Sequence, residues 1–542
     1  MQHDCILESG NTLLRPLAEE DLELLRLLRN RPENRQAFFD GRLIEAESQK
    51  NWYRSYLEKN GDYMFAVCDR SSGEMVGAVA IYDCSLQSSS AEFGRLLIDA
   101  EKAGGRGHGK TAAALACRFA REQLKIKNLR LSVFADNERA FALYHKIGFQ
   151  ESGRAEQEGR EVIEMIHRPK KILYTASRLS HIMHFHRPYL QELIRRGGEI
   201  HLLGEGSEEI PEAERIFRLP MSKKILSLEN LKMIRKIREI LAGEKYDLIV
   251  SNATLAGFLT RMAKKNLRKD RGRLIHISHG YLFSESTHSL KKAIYVLAEL
   301  LCKRATDLLL VMNRQDLILA RKYRLAEQIV PIPGMGIPKI DRERSAEESL
   351  RRECGWEEND FLAIYPAEYS GRKNHLFMIR QLADILRTHP QVRLLFAGEG
   401  ESRKALEEEI RRLGLEGQIL LLGYQKRIRS LIAACDLAIS SARSEGLPFN
   451  IMEAMSLGVP VIASKVKGHE DLIEDGKNGA LFSLEDEREL KTKFEELLQD
   501  GNLRERYRQA SLEAVQKYTL EAVFDSNMEK IEEQLFAITE RL

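Results

Sequence analysis

The sequence lacks the features of a secreted or membrane-spanning protein. Its start, MQHDCILESG, does not place a basic segment before an apolar run, so we expect no signal peptide. The longest apolar stretch, AIYVLAELLC at residues 293–302, is too short to cross a bilayer. Seven cysteines with no C-x-x-C pair are typical of reduced thiols rather than of a disulfide framework. These absences predict a cytoplasmic protein that at most touches the inner face of a membrane.

An excess of either charge is also missing. Lys and Arg number 84 against 81 Asp and Glu, and the formal net charge is +3. This balance gives no reason to expect nucleic-acid binding. The 542 residues contain no visible repeat or low-complexity tract and suffice for two to four domains of ordinary size.

A basic joint that contains a proline, HRPKK at residues 167–171, is the clearest domain boundary. The apolar pattern VIEMI ends just before this joint, and the pattern KILYTA begins at its last residue, Lys171. A Pro-containing segment between two predicted strands is typical of a linker. We therefore expect an N-terminal domain at residues 1–168.

Beyond the joint, apolar strand patterns alternate with helical ones. The first series is KILYTA, EIHLL, YDLIVS, LIHISH and TDLLLV, and the second is FLAIYPA, VRLLFAG, QILLLG, CDLAISS and VPVIAS. This alternation predicts an α/β fold with parallel sheets covered by helices on both faces. We expect two Rossmann-like domains, 169–345 and 346–542, that face each other across a ligand cleft. An amphipathic helix from about Leu520 is expected to pack back on the first of them.

Two glutamates mark the carboxyl end of a strand in the second series. The segment SSARSEGLPFNIMEAM follows CDLAISS, so Glu445 lies in a loop and Glu453 lies in the helix that starts near Phe449. Backbone N–H groups at a helix N-terminus bind phosphate, and the carboxylates can accept hydrogen bonds from sugar hydroxyls. The pattern therefore fits a nucleotide sugar. From spacing alone, two solvent-facing glutamates remain an equal alternative.

The wider pattern, S-x-x-E-G-L-P…E-A-M-x-x-G-x-P-V, resembles the family-4 retaining glycosyltransferases of GT-B architecture. The resemblance runs from about Lys171 to the C-terminus. It implies that Glu445 and the adjacent Gly446 contact the donor sugar and that Glu453 binds the nucleotide ribose. It also implies a nucleotide-sugar donor such as a UDP-sugar, and transfer with retention of anomeric configuration.

Two cations, Arg372 and Lys373, precede a predicted helix in PAEYSGRKNH. Cations at this place can neutralise a leaving diphosphate. The resemblance assigns that role to Lys373. Many family members carry an Arg about five residues earlier, where this chain has Glu368, and Arg372 is the candidate replacement.

Three histidines, His181, His184 and His186, suggest a metal cluster. However, their i, i+3 and i+5 spacing does not put all three on one helix face, and no Cys or carboxylate joins them. The resemblance instead implies a loop that lines the acceptor cleft. The segment ISHG matches the family's loop with a histidine near the donor sugar, here His279, although a purely structural histidine is an alternative. No D-x-D pair is evident, and we expect no metal.

The N-terminal domain contains GGRGHGKT at residues 104–111, which matches the phosphate-loop pattern G-x₄-G-K-[ST] between a strand and a helix. An ATPase is therefore one interpretation. The domain has too few strand–helix units for that fold, and the segments on either side point elsewhere.

Those segments, NTLLRPLAEEDLELLRLLRNRPE and DNERAFALYHKIGF, resemble the GNAT N-acetyltransferases, whose sheet is mixed. The resemblance runs from about Asn11 to Ile166. It implies that the glycine-rich loop cradles the pyrophosphate of acetyl-CoA, with Gly104 standing where the family usually has Arg or Gln. The implied acetyl-CoA contacts are Gly105, Arg106, Gly107, Gly109, Lys110 and Asn137.

Two further residues receive catalytic roles from this resemblance. Tyr144 in N-x-x-A-x-x-x-Y would protonate the CoA thiolate, with a core aromatic residue as the alternative interpretation. Glu92, on the strand before the loop, is a candidate base for the acceptor amine. The front half is most similar to acetyltransferases of pseudaminic-acid biosynthesis, which act on a nucleotide-linked 4-amino-dideoxy sugar.

Together these patterns predict a bifunctional enzyme of bacterial surface-glycan synthesis. One domain would acetylate an amino sugar, and the other two would transfer a sugar to a glycan or lipid-linked acceptor. The fusion suggests that the acetylated sugar nucleotide is the donor of the second step. Two alternatives remain. The first domain acts on a protein or a small amine, or it is a non-catalytic acyl-CoA-binding module.

Overall fold

The structure is a computed structural model. It describes residues 3–85, 87–103, 105–168, 170–196, 198–221, 227–265, 267, 272–285, 287–340, 351–357, 359–486 and 488–536. Most of the charged segment 341–360, including the expected domain boundary at 345/346, lies outside this range, as does Gly104.

The N-terminal part is built on a mixed eight-stranded sheet with the order β1-β2-β3-β4-β5-β6-β8-β7 among the described residues. Its neighbours are antiparallel except β5 and β6, which run parallel. The strands are β1 Leu7–Ser9, β2 Thr12–Pro16, β3 Tyr63–Asp69, β4 Met75–Ser85, β5 Ser90–Ile98, β6 Asn128–Phe134, β7 Phe149–Gln157 and β8 Arg160–His167. The helices are α1 Leu22–Asn30, α2 Pro32–Arg35, α3 Ala46–Glu58, α4 Ala100–Ala103, α5 His108–Glu122 and α6 Glu138–Lys146.

Helix α5 packs closely on this sheet because its buried face is made of small residues. Ala112, Ala113, Ala116 and Ala120 are all fully buried against the apolar side chains of the strands. The five alanines of α5 also favour the helix itself, since alanine has the highest intrinsic helix propensity. Close packing fixes the N-terminus of α5 at the carboxyl end of β5.

A second, wholly parallel sheet has the order β11-β10-β9-β12-β13-β14-β15. Its strands are β9 Lys171–Arg178, β10 Glu199–Glu205, β11 Arg215–Arg218, β12 Leu248–Asn252, β13 Arg273–Ser278, β14 Leu308–Val311 and β15 Gln328–Pro331. Its helices are α7 Leu179–Phe185, α8 Arg187–Arg195, α9 Leu228–Glu244, α10 Thr254–Lys264, α11 Ser289–Cys302 and α12 Arg314–Tyr323. Apolar clusters lie on both faces of this sheet, as a buried parallel sheet requires.

A third parallel sheet has the order β18-β17-β16-β19-β20-β21. Its strands are β16 Phe361–Pro366, β17 Val392–Ala397, β18 Ile419–Gly423, β19 Leu437–Ser440, β20 Val461–Ser464 and β21 Ala480–Phe482. Its helices are α13 His375–Thr388, α14 Arg403–Leu413, α15 Ile428–Ala433, α16 Phe449–Ser456, α17 His469–Leu472, α18 Glu489–Gln499 and α19 Gly501–Ala514. The mixed sheet followed by two Rossmann-like sheets confirms the predicted fold class.

The last helix, α20 Leu520–Phe536, lies against the second sheet. The backbone of Leu520 donates to Ile337 O at 2.8 Å, where the chain crosses over from the third sheet. Further along, the buried Asn527 amide donates to Tyr189 Oη at 3.1 Å and to Gly334 O at 2.9 Å. The C-terminal helix thus ties the two parallel sheets together.

The joint between the first two sheets is short. Three residues, Arg168 to Lys170, separate β8 from β9. The N-terminal part also contacts α8, since a Cβ on Gly10 would lie 3.8 Å from the Arg195 guanidinium. Across the described residues, no helix is both long enough and apolar enough to cross a membrane.

Candidate functional sites

The loop before α5 exposes its backbone. Gly105 and Gly107 have φ of 71° and 77°, in the left-handed region that favours glycine, and Gly107 is the N-cap of α5. A Cβ at either position would meet nothing within 4 Å, so the space in front of the loop is open. Gly109 and Lys110 follow in the first turn of α5, and Lys110 is exposed. Open backbone amides at a helix N-terminus are suited to a phosphate.

Contacts to β2 and β3 hold this loop against the sheet, and the sequence did not indicate the strand residues that make them. The Arg106 guanidinium, predicted as an acetyl-CoA contact, pairs with Asp69 at 2.5 Å. His108 is buried and lies 3.0 Å from Thr12 Oγ1 and 3.3 Å from Asp69. The Ser71 hydroxyl and backbone, with the Arg106 charge, lower the pKa of Asp69 to about 2. Asp69 lies on β3, far away in the sequence, so no local pattern could indicate it.

The mixed sheet opens beside Glu92. Strands β5 and β6 are paired only from Ser90↔Asn128 to Glu92↔Arg130, and beyond this point their facing edges separate. Glu92 is half-buried at the point of separation, where burial and the nearby Asp83 carboxylate raise its pKa. The opening leads to the glycine-rich loop, because that loop follows the carboxyl end of β5.

Tyr144 lies on α6, which follows β6. Its ring packs against Phe93 and Phe149, with ring centroids 5.7 and 6.0 Å away, and burial raises the pKa of its hydroxyl to about 12. Asn137, predicted to bind the cofactor, caps α6: its Oδ1 accepts from Ala140 N at 3.2 Å. Tyr144 thus keeps its proton at neutral pH, while one of the two polar groups of Asn137 is already used by the helix.

In the third sheet, Glu445 lies between the two predicted cations. Lys373 Nζ is 2.5 Å and Arg372 Nη1 is 2.9 Å from the carboxylate oxygens of Glu445. Glu445 is only 9% exposed. Burial alone would raise its pKa, but the charges of Lys373 and Arg372 outweigh burial and lower it. Three of the five residues that the sequence assigned to the donor therefore form one charged cluster at the carboxyl ends of β16 and β19.

Glu453 lies in the second turn of α16 and pairs with Arg429 Nε at 2.9 Å. Arg429 is a site neighbour that the sequence analysis missed. It comes from α15, and its position gives no local signal. Glu368, at the place of the usual family arginine, is exposed.

The loops of the two parallel sheets touch at Gly446. A Cβ on Gly446 would lie 1.5 Å from His279 O, and a Cβ on Gly280 would lie 2.8 Å from Gly446 Cα. Gly280 has a φ of 129°. The His279 backbone thus lies directly against the Glu445 loop. Side chains larger than hydrogen would force the two loops apart.

A buried ion pair reinforces this contact. Lys467, after β20, donates to Asp316 Oδ1 at 2.8 Å and to Tyr281 O at 2.6 Å across the interface. Both charged side chains are almost fully buried. The aromatic rings of Phe185 and Phe449 also stack across the interface, with centroids 3.8 Å apart. The cleft between the two sheets is therefore closed at this end.

Two of the three histidines in the segment 181–186 meet a third histidine from a distant loop. His181 and His186 lie together with His279, and their nearest ligand nitrogens are all within 4.8 Å of one another. His184 is exposed, and its Nδ1 lies 2.6 Å from Ser180 O. Spacing along one helix could not reveal this group, because His279 comes from the loop after β13.

Comparison with known families identifies two domains. Residues 346–513 match the family described as glycosyl transferases group 1, and residues 11–150 match the acetyltransferase (GNAT) domain. The chain joins a GNAT acetyltransferase domain to a group 1 glycosyltransferase. Its glycosyltransferase part includes the Glu445 cluster, and its acetyltransferase part includes the α5 loop.

Curated relatives resemble the glycosyltransferase part. EpsD of Bacillus subtilis (strain 168), described as a glycosyltransferase, is 28% identical over 333 residues, which cover 60% of this chain and 87% of EpsD. A UDP-Gal:α-D-GlcNAc-diphosphoundecaprenol α-1,3-galactosyltransferase of Escherichia coli is 23% identical, over 52% of this chain and 74% of the enzyme.

Solved structures share the fold of this part. Anabaena HepE, in complex with UDP and glucose, has a TM-score of 0.54 and 21% identity, and the match covers 67% of this chain and 100% of HepE. WaaG, a glycosyltransferase involved in lipopolysaccharide biosynthesis, has a TM-score of 0.54 and 17% identity, with 66% and 99% covered. These likenesses show the GT-B arrangement of two facing Rossmann-like domains.

Proposed function

We propose that the chain N-acetylates a nucleotide-linked amino sugar and transfers a sugar, with retention, from a nucleotide donor to a lipid-linked or other glycan acceptor. The acetyl donor is acetyl-CoA. In this proposal, residues 1–168 carry the first reaction, 169–345 bind the acceptor and 346–542 bind the nucleotide sugar. The place of action is the inner face of the membrane.

The charged cluster around Glu445 carries the glycosyltransferase proposal. A nucleotide diphosphate has more negative charge than one carboxylate, so it would attract Lys373 and Arg372 away from Glu445. Glu445 could then accept hydrogen bonds from donor-sugar hydroxyls. The two cations would stabilise the diphosphate as its bond to the sugar breaks. Before the donor binds, the ion pairs with Lys373 and Arg372 keep the buried Glu445 ionised.

A donor-binding variant tests this step. Glu453→Ala removes the carboxylate assigned to the ribose and should lower sugar transfer at least about a hundredfold, because a hydrogen-bond acceptor for the donor is lost. Transfer is followed with radiolabelled UDP-sugars and a polyprenyl-diphosphate sugar acceptor. Acetylation should be unchanged. The matched control is Glu416→Ala, an exposed glutamate in the loop after α14. Sugar transfer by Glu453→Ala at the wild-type rate would refute the donor site.

The opening between β5 and β6 carries the acetyltransferase proposal. The glycine-rich loop lies at its end, and free strand edges beyond Glu92 can hydrogen-bond an extended ligand. Tyr144, with its raised pKa, holds a proton that a leaving thiolate can take. Glu92, with its raised pKa, is suited to accept a proton from an ammonium group.

The acetyl acceptor is identified by a substrate screen. Acetyl-CoA is incubated with UDP-4-amino sugars, with peptides and with small amines, and released CoA is measured with a thiol reagent. We expect release with an amino sugar, reduced roughly a hundredfold in Tyr144→Phe because the general acid is missing. Tyr63→Phe, on β3 of the same sheet, is the control. Release only with peptides would favour the protein-modifying alternative. Acetyl-CoA binding without any release would favour a non-catalytic module.

An exposed apolar stripe on α11 supports a membrane-associated acceptor. Leu290, Ile294, Leu297 and Leu301 are 40–68% exposed, and their spacing puts them on one face of the helix. Basic residues Lys291, Lys303 and Arg304 lie beside the stripe, which suits an anionic lipid surface. The E. coli relative acts on a diphosphoundecaprenol-linked sugar, as its name states, and an acceptor of that kind would reach the cleft from such a surface.

A further inference from the structure

Three histidines from two distant segments of the chain meet at the edge of the cleft. His181 lies on α7, His186 lies between α7 and α8, and His279 follows β13. The ring centroids of His181 and His279 are 4.5 Å apart, and those of His186 lie 5.5 and 5.9 Å from them. One ring nitrogen from each histidine lies within 4.8 Å of the other two.

The ring nitrogens of this group lack partners. Nδ1 of His181, both nitrogens of His186 and Nε2 of His279 are buried without a hydrogen bond. His186 is fully buried. A buried polar atom without a partner is unfavourable, so several in one place call for a ligand that satisfies them.

We propose that His181, His186 and His279 bind one zinc ion. Neutral imidazoles are preferred ligands of Zn²⁺, and three histidines with one open position form a known type of zinc site. In the described part of the chain, no cysteine or carboxylate completes the group, so water or a substrate oxygen takes the fourth position. From the sequence we expected no metal, because the only group considered there was His181, His184 and His186, which contains no residue of the loop after β13.

Zinc binding requires the three ring nitrogens to move slightly closer to one another. Zinc at about 2.0–2.1 Å from each nitrogen in a tetrahedron would bring the nitrogens to roughly 3.4 Å from one another. The present separations are within 4.8 Å. Rotation of the His181 and His279 rings can close the difference, because both side chains are only partly buried.

The ion would connect two segments that line the acceptor side of the cleft. It would link α7 to the loop after β13, whose His279 carbonyl faces Gly446. The neighbouring Phe185 stacks on Phe449 of α16. The open coordination position would thus lie near the Glu445 loop, where it could orient a hydroxyl. Zinc binding itself does not depend on the proposed sugar transfer.

The test measures metal binding rather than activity. The full chain, purified with a tag that contains no histidine, is dialysed against chelator and then against zinc. Bound zinc is measured by plasma mass spectrometry, and Co²⁺ replaces zinc as a probe whose visible absorption reports tetrahedral coordination. We expect one equivalent in the wild type, and an affinity at least about tenfold lower in His186→Ala and in His279→Gln. Zinc should also raise the melting temperature of the wild type.

The exposed His184 provides the control, since His184→Ala should bind like the wild type. If His186→Ala fails to fold, His279→Gln at the partly exposed position decides the result. The proposal is overturned if the wild type takes up no more metal than the triple variant of His181, His186 and His279. It is also overturned if His186→Ala and His279→Gln both keep full affinity. Loss of sugar transfer with metal uptake intact would count against the proposed function and leave the zinc site standing.

Discussion

Two glutamates in the proposed sites experience opposite electrostatic environments. Glu445 is the more buried, yet its pKa is lowered because Lys373 and Arg372 lie within 3 Å of it. Glu92 is only half-buried, but its pKa is raised by burial and by the carboxylate of Asp83. The first residue is thus suited to remain an anion, and the second to take up a proton.

The raised pKa of Glu92 predicts that the variant Glu92→Gln is more stable than the wild type at neutral pH but less active. The folded protein holds this proton more tightly than the unfolded chain does, so the stability contribution present at low pH is lost as pH rises through the folded pKa. Glu92→Gln is neutral at every pH. It should melt at a higher temperature than the wild type near pH 7, with no difference near pH 4, and it should acetylate more slowly.

Thermal unfolding and CoA release measure the two effects of Glu92→Gln. Glu156→Gln, at an exposed position on β7 of the same sheet, should change neither. A melting difference that grows as the pH falls would contradict the electrostatic explanation. Wild-type acetylation by Glu92→Gln would exclude this residue as the base.

At the scale of elements, α11 combines a fixed position with an exposed apolar face. The fully buried Arg261 of α10 donates to Glu299 of α11 at 2.7 and 3.0 Å and holds the helix against the sheet. The opposite face presents its leucines outward. Because the helix cannot rotate to hide this face, its apolar surface is available to a membrane.

The proposed membrane contact of α11 predicts that a charge in its apolar stripe selectively weakens lipid binding. Leu297→Glu places a charge in the middle of the stripe and should reduce cosedimentation with vesicles of phosphatidylglycerol and phosphatidylethanolamine at least about fivefold. Leu231→Glu changes a similarly exposed leucine on α9 and is the control. Transfer to a water-soluble acceptor should be unchanged in both. Equal vesicle binding by Leu297→Glu and the wild type would exclude α11 as the membrane contact.

The sequence predicted the central elements well and the edges poorly. The ten apolar patterns from Lys171 onward correspond to strands of the two parallel sheets. Nine are central strands, which are buried on both faces and read as continuous apolar runs, and QILLLG is the edge strand β18. The other three edge strands, β11, β15 and β21, were missed. Their short sequences, RIFR, QIVP and ALF, bury fewer side chains or are too brief to form a pattern.

In the candidate sites, the sequence predicted the contiguous motifs and missed the contacts between distant segments. The glycine-rich loop and the Glu445 loop are each contiguous, so motifs indicate them. Arg429 beside Glu453, Asp69 beneath Arg106, and His279 beside His186 are pairs from distant segments. Only tertiary packing brings such residues together, and one sequence carries no signal for it.

At the scale of the whole molecule, the pair Lys467–Asp316 holds the two parallel sheets in contact. Asp316 also accepts from Tyr281 N and from Asn313 Nδ2, both at 2.8 Å, so its charge is satisfied from both sides of the interface. Removing one partner of a buried pair leaves the other charge uncompensated.

Lys467→Met should therefore destabilise the glycosyltransferase part by about 3–5 kcal/mol. Urea unfolding measures the loss, and the acetyltransferase activity should persist. Lys465→Met, exposed two residues earlier, should be neutral. The double variant Lys467→Met/Asp316→Leu should recover part of the loss, since no unpaired charge remains. A double variant as unstable as the sum of the single variants would show that the pair is not coupled.

The short joint between β8 and β9 limits how the two reactions can cooperate. Three extended residues reach only about 10 Å, so neither catalytic unit can swing toward the other as carrier domains on long tethers do. An acetylated sugar nucleotide would have to leave the first opening and diffuse across the surface to the cleft. The benefit of the fusion would then be proximity: a product released near its next binding site is recaptured before it mixes with the bulk solution.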